Sequence, residues 1–302
     1  MILLLMAACG QPGDDPGSGE EAPYLLDDSE LDLPQPSFDA DAASAAVDEA
    51  LAALRGITAE PVLDAYRDAA EGADRSCPNT YTSDDGYDYW YDDCTSSDGT
   101  SFQGYGALID YATESDGVTL TGSVVYGSGT ITRPDGGVLS LNGAAGLLSG
   151  EGSDGLNTVM NVVDGQFSLD DATDGWLASG LEPSLTMQGL AAGDLRAFSA
   201  AGTLAGLETD IDAIMADDLL MASEGTGTPC SLEPAGTLSL RGADGHWTDI
   251  VFDVPYDSAS QSFGDMDPER CDGCGTAWFE GEAIGQACFD FSTLLDWDDS
   301  PW

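Results

Sequence analysis

The residues of this chain that could do chemistry are few in kind. Six cysteines lie between Cys77 and Cys288, and two of them are spaced Cys271-Asp-Gly-Cys274. That spacing suits two chemistries. A redox pair follows a strand and opens a helix, whereas here the next residues, Gly-Thr-Ala-Trp-Phe, read as a strand. A four-cysteine zinc site from Cys230, Cys271, Cys274 and Cys288 is the other, although zinc ribbons carry two such knuckles and this chain has one. The densest polar cluster is Asp84-Asp-Gly-Tyr-Asp-Tyr-Trp-Tyr-Asp-Asp93. Calcium takes six to eight oxygen ligands, so Asp84, Asp85, Asp88, Asp92 and Asp93 are candidate Ca²⁺ ligands, and acids beside aromatics also suit a sugar. Their spacing is not that of an EF-hand loop. Asp265-Met-Asp-Pro-Glu269 is a second acidic loop. Paired carboxylates serve glycoside hydrolysis, but among 56 acids chance pairs are everywhere and none stands out.

Other mechanisms are excluded by composition. The chain has seven Arg and no Lys, so it has no Walker A loop, no Schiff-base lysine and no kinase-type phosphate clamp. One histidine, His246, rules out His-rich metal sites; in Ala-Asp-Gly-His-Trp-Thr it reads as a surface turn residue. No serine lies in a G-x-S-x-G elbow. No catalytic residue is assigned, and a non-enzyme is expected. The net charge of −49 excludes nucleic-acid binding, which needs basic residues to displace phosphate counterions, and repels anionic lipid headgroups. Asp dominates, 41 against 15 Glu, which reads as a solvated acidic surface in a saline habitat; divalent-cation binding is the sharper alternative.

The N-terminus carries a different kind of information. Met1-Ile-Leu-Leu-Leu-Met-Ala-Ala-Cys9 is an apolar run, two small residues and a cysteine. It resembles the lipobox of bacterial lipoproteins, in which a diacylglycerol is joined to the cysteine. The resemblance implies lipidation at Cys9, export, and attachment to the bacterial cell envelope at the outer membrane or cell surface. The membrane is then the one partner implied, through the anchor; a protein or glycan partner stays unidentified. Residues 1–9 make a short signal, so a start upstream is expected. Residues 10–37, rich in Pro, Gly, Ser and acid, cannot bury enough surface to offset chain entropy and read as a disordered tether.

With Cys9 lipidated, six cysteines remain, and export places them where disulfides persist. Cys77 and Cys94 are equidistant from Asp85-Gly86, and in a two-residue hairpin would face each other with Cα atoms about 4.5 Å apart. Pro78 loosens that pairing, because it lacks an N–H. Cys274 and Cys288 are equidistant from Gly281. Cys230 is left for Cys271. Disulfides Cys77–Cys94, Cys230–Cys271 and Cys274–Cys288 are therefore expected, with zinc and redox use of Cys271 and Cys274 as the alternatives.

The elements that must position these residues follow from periodicity. Residues 38–76 read as a helical pair. Ala43, Ala46, Val47, Ala50, Leu51 and Leu54 fall at helical spacing, so a helix is expected over Asp39–Leu54, capped by Asp39 or Asp41. A second is expected over Ala59–Glu71, with Thr58 as its N-cap and Pro61 in its first turn. Residues 77–302 then change to period two. Runs such as Val118–Tyr126 and Ile250–Val254 alternate, with Asp-Gly turns at 116, 135, 154, 164, 174 and 244. Asp-Gly between alternating runs signals hairpins, and tight turns make the neighbours antiparallel. The stretch Leu204–Met221 suits either helix or strand, and its flanks favour strand. The fold class expected is mainly β: an antiparallel meander of about ten strands, as a curved sheet, open barrel or sandwich, one face apolar and one wet, with an N-terminal pair of short helices.

The function expected is a non-catalytic structural or binding role for a lipid-anchored protein. A curved sheet covered by two helices also resembles, in outline, periplasmic carriers that hold lipid in a half-barrel. A hydrolase using paired carboxylates is a third class.

Overall fold

The computed structural model describes residues 38–82, 88–91, 93–115, 118–152, 155–170, 176–297 and 300–302. Cys9, the tether, Asp84, Asp85, Asp92 and the turns at Asp116-Gly117, Asp154 and Asp174-Gly175 lie outside them. Helix α1 spans Ala40–Leu54, α2 Glu60–Ala70 and the short α3 Trp176–Ser179. The strands are β1 Thr80–Thr82, β2 Asp88–Trp90, β3 Cys94–Thr95, β4 Ser101–Ser115, β5 Val118–Thr132, β6 Val138–Glu151, β7 Asn157–Leu169 and β8 Glu182–Ala192, then β9 Leu195–Ala205, β10 Ile211–Ala222, β11 Ala235–Gly242, β12 Trp247–Val251, β13 Tyr256–Asp257, β14 Ser262–Phe263, β15 Cys274–Phe279 and β16 Glu282–Cys288. Leu204–Met221 contains the end of β9 and most of β10, not a helix.

Fourteen strands form a large antiparallel meander that is not closed into a barrel. β1 to β8 run in the order β1-β2-β4-β5-β6-β7-β8, with β3 beside β4; β9 to β16 run β9-β10-β11-β12-β15-β16, while β13 and β14 pair separately. The chain divides into two compact units. One joins α1 as far as Leu51 to Ala192–Ala201 and Leu207–Trp297. The other takes Ala52–Ala191, Gly202–Gly206 and the last residues to Trp302. The helical pair is therefore not a body of its own, and residues 77–302 do not form one.

In the second unit α2 lies against β5 and β6. Val62, Leu63, Tyr66 and Ala69 are its buried face. Thr58 Oγ1 accepts the N–H of Glu60 at 3.3 Å, the bond expected of an N-cap, while the N–H of Ala59 goes to Asn161 Oδ1 in the middle of β7 at 2.9 Å. Asn161 Nδ2 donates to Ile57 O at 2.7 Å, and Trp176 Nε1 to Thr58 O at 3.1 Å. A side chain remote in sequence thus satisfies the helix start, one of the ways orphan N–H groups are covered. On the α2 side of the sheet Trp90 Nε1 donates to Tyr66 Oη at 2.9 Å, and its ring meets Phe102 edge-on. The opposite face carries exposed polar residues on part of β4 to β8, Tyr105, Ser128, Asn142 and Gln166 among them, while Val118, Leu120 and Leu148 form a small buried cluster elsewhere on it.

In the first unit α1 begins at Asp39, whose Oδ1 accepts the N–H groups of Asp41 and Ala42. Its stripe Ala43, Ala46, Val47, Ala50 is 0–4% exposed. The expectation of one wet face fails here. Leu240 and Ile250 are buried on one side of β11 and β12, and Ser239 and Asp249, on the other side, are each 2% exposed as well. Ser239 Oγ donates to Asp249 Oδ1 at 2.5 Å, which is how a buried carboxylate keeps a partner.

Three of the Asp-Gly turns share one design, whereas Asp164-Gly165, expected as a turn, lies inside β7 opposite Ala144 and Gly143. In 96–100, 133–137 and 242–246 the first N–H donates to the last carbonyl, and the glycine N–H donates back to the first carbonyl. Gly99, Gly136 and Gly245 have φ of 99°, 93° and 88°, a type I turn closed by a left-handed residue. The aspartate before each glycine accepts the N–H two residues on: Asp98 from Thr100, Asp135 from Gly137, Asp244 from His246. Asp74, Asp257, Asp267, Asp272 and Asp290 make the same bond. Asp reaches its own backbone at this range. Part of the excess of Asp over Glu is therefore turn chemistry rather than surface charge alone. Hydrogen bonds led by the side chains of Ser76, Ser96, Ser260 and Ser292 hold Asp74, Asp98, Asp257 and Asp290 below the usual carboxylate range.

Candidate functional site

The cysteines are joined as Cys77–Cys94, Cys230–Cys271 and Cys274–Cys288. Cys271 and Cys274 thus belong to different disulfides, and the redox-pair and zinc readings are set aside. The route to two of these pairs differs from simple turn symmetry. β1 and β2 pair Thr80 with Trp90 and Thr82 with Asp88, a register centred on residue 85 rather than between 85 and 86. Cys94 pairs with Phe102 in β4, and its Cα lies 5.7 Å from that of Cys77. Around Gly281 the turn is the two residues Glu280 and Gly281, with φ of 47° and 79°, as the primed hairpin turn requires. A register shift between Ala277 and Trp278 then restores Cys274 opposite Cys288.

Of the five candidate calcium ligands, Asp84, Asp85 and Asp92 lie outside the described residues, and of Asp88 only the backbone, in β2, is described. Asp93 Oδ1 accepts the N–H of Gly104 at 2.9 Å, so this carboxylate pins a strand. No group of three acids, histidines or cysteines placed to hold a metal occurs among the described residues. In the second acidic loop Asp267 Oδ1 accepts the N–H of Glu269 and caps a short 3₁₀ turn over Pro268–Arg270.

His246 is not a surface turn residue. It is 4% exposed, and its ring meets Phe279 edge-on with centroids 5.2 Å apart. It helps line a cleft of about 300 Å³ in the first unit, with Phe38, Asp39, Ala42 and Ala43 on the helix side and Leu240, Asp244 and Thr248 on the sheet side. Two of the cleft's three carboxylates already serve the backbone: Asp39 at the start of α1 and Asp244 in its turn. The third, Asp210, is exposed. A space of this size takes only a small molecule.

Glu233 was not singled out by the sequence, and nothing there separates it from the other Glu residues. It is 1% exposed, and no hydrogen bond of normal geometry reaches either carboxylate oxygen among the described residues. Burial, then the charges of Asp253 and Asp272, push its pKa up to about 7, and the backbone N–H groups of Asp253 and Gly273 offset this only in part. Arg270 does not relieve it: the guanidinium makes a two-pronged pair with Asp253, Nε to Oδ2 at 2.8 Å and Nη2 to Oδ1. A carboxyl whose folded pKa lies above its unfolded value of 4.5 binds more protons folded than unfolded between those two pH values. Its favourable contribution is complete below 4.5 and is lost as pH rises through 7. Urea midpoints of the wild type should therefore fall between pH 5 and 8. Glu233→Gln, which mimics the protonated acid, should remove most of that slope; an unchanged slope would refute the assignment.

Comparison with protein-family models, curated proteins and solved structures returns no match for this chain.

Proposed function

We propose that this chain is an exported, lipid-anchored protein with a structural or binding role at the bacterial cell surface or outer membrane, held by a diacylglyceryl group on Cys9. The observation that carries the reading is the set of three disulfides, which persist in oxidising compartments and are rare in the cytosol. No helix of the described residues is long and apolar enough to cross a membrane; the attachment proposed is the lipid. One chain gives marginal binding and two give stable anchoring, and a diacylglyceryl group brings two.

The carrier reading calls for an apolar groove between helices and sheet. What stands against it is packing: the inward faces of α1 and α2 are 0–7% exposed, as in a filled core. The hydrolase reading calls for carboxyls converging in an open cleft with shifted protonation. Glu233 has the shift but not the access. Calcium at the Asp84–Asp93 hairpin is kept as an accompaniment to the binding role, and a melting temperature that falls on adding a chelator would support it.

Mass spectrometry of the protein from its source cell tests the reading directly. The expected result is a diacylglyceryl mass on Cys9 with six oxidised thiols. An unmodified amino-terminal methionine with six free thiols would overturn it.

A further inference from the structure

Strand register lines up four exposed side chains in a straight row. Tyr105 on β4 faces Ser128 on β5, Ser128 faces Asn142 on β6, and Asn142 faces Gln166 on β7. Directly opposed residues share a face of the sheet, and Asn161, which binds the α2 entry loop, points to the other face because β-strand side chains alternate. All four are exposed, Tyr105 by 45%. Strands lie about 4.8 Å apart, so the row repeats at that interval, close to the length of one pyranose ring.

The charge of this surface sets it apart from the rest of the chain. The chain as a whole carries a net charge of −49. On this face, among the described residues of β4 to β8, only Asp164 and Glu182 bring carboxylates. Both are engaged by neighbours on the same face: Ser184 Oγ donates to Asp164 Oδ1 at 2.6 Å, and Gln166 Nε2 to Glu182 Oε1 at 3.2 Å. A polyanion is repelled by the chain as a whole. A polycation is drawn instead to regions where carboxylates are denser, since this face brings only two among its described residues. What suits the row is an uncharged molecule with many hydroxyls. Amides and hydroxyls both donate and accept, and an exposed tyrosine ring presents a flat apolar surface with a polar tip.

We propose that this face of the second unit binds a neutral polysaccharide laid across the strands along the row Tyr105–Ser128–Asn142–Gln166. The inference rests on the binding role proposed above and names the ligand class for it. The row is the recognition surface, and no bond is made or broken.

The test is affinity electrophoresis of the full chain through gels containing a soluble neutral polysaccharide, with a β-glucan, an α-glucan and a galactomannan run separately. Retardation by at least one is expected. Tyr105→Ala should weaken it about ten-fold, as expected from losing roughly one good contact, and Asn142→Ala with Gln166→Ala should abolish it. These positions are exposed, so melting curves of the variants should match the wild type. Retardation by none, or retardation the variants leave unchanged, overturns the proposal; so does binding to immobilised polylysine that the same variants abolish, which would make the face a protein site. Mass spectrometry of the same preparation keeps the two ideas separate. A lipidated chain that ignores every polysaccharide sinks the glycan site alone, and an unlipidated chain that binds sinks the anchor alone.

Discussion

Asn161→Leu should destabilise the second unit by about 3 kcal/mol and lower the melting midpoint by roughly 8 °C. Leu has the same branched outline, somewhat enlarged, but neither donates nor accepts. The Ala59 N–H and the Ile57 carbonyl, now bonded to the Asn161 amide, would be left without partners at a site where Ile57, Ala59 and Asn161 are all 0% exposed. Each orphaned buried group costs about 1–3 kcal/mol. Asn161→Asp keeps the acceptor for Ala59 and loses the donor for Ile57, while burying a carboxyl. It should therefore be stable at acid pH and weaken as pH rises. Thermal melts followed by circular dichroism would check both. A Leu variant as stable as the wild type would mean that the helix entry is held by the bonds at Thr58, from Trp176 Nε1 to its carbonyl and from the Glu60 N–H to its hydroxyl.

Replacing Cys230 and Cys271 together with Ser should cost about 4 kcal/mol, against about 3 for Cys274 with Cys288. The difference comes from loop length: the first pair is separated by 41 positions and the second by 14, and a longer loop has more entropy to lose in the unfolded chain. The consequence is also local. Cys230 is 3% exposed and lies three residues before Glu233, so freeing it loosens the enclosure that keeps Glu233 protonated. Guanidinium titrations of the two double variants at pH 5.5 would rank them. At pH 8 the gap between wild type and the Cys230/Cys271 variant should narrow, because the buried carboxyl has by then lost its favourable contribution. The reverse ranking would show that strain or residual unfolded structure, not chain entropy, governs these bonds.

Much of the fold was legible because it is periodic. Alternation from residue 77 onward and the Asp-Gly pairs at 135 and 244 specify antiparallel neighbours, although Asp164-Gly165 misleads and lies within β7; Asp39 followed by a small-residue stripe specifies α1. The strand number was underestimated because short strands such as β1, β2 and β3 carry too few residues to show a period. Tyr105, Ser128, Asn142 and Gln166 read as unrelated polar positions until strand register places them in one line. His246 looked like a turn residue because its neighbours are; the packing of α1 and Phe279 decides that it is enclosed.

The chain's own composition and spacing determined what is local: the exclusion of lysine, histidine-cluster and nucleic-acid chemistry, the sign of the long-range field, the hairpins and the likeness of its N-terminus to a lipid-attachment signal. Such properties depend on residue type and short separation, which a sequence states directly. Only tertiary structure decided that α1 and α2 belong to different units, that Asn161 closes a helix 102 positions away, and that Glu233 is buried. Register and burial arise from many weak contacts between distant segments. A one-residue slip would turn every side chain of a strand to the other face, so their outcome exists only once the whole sheet has formed.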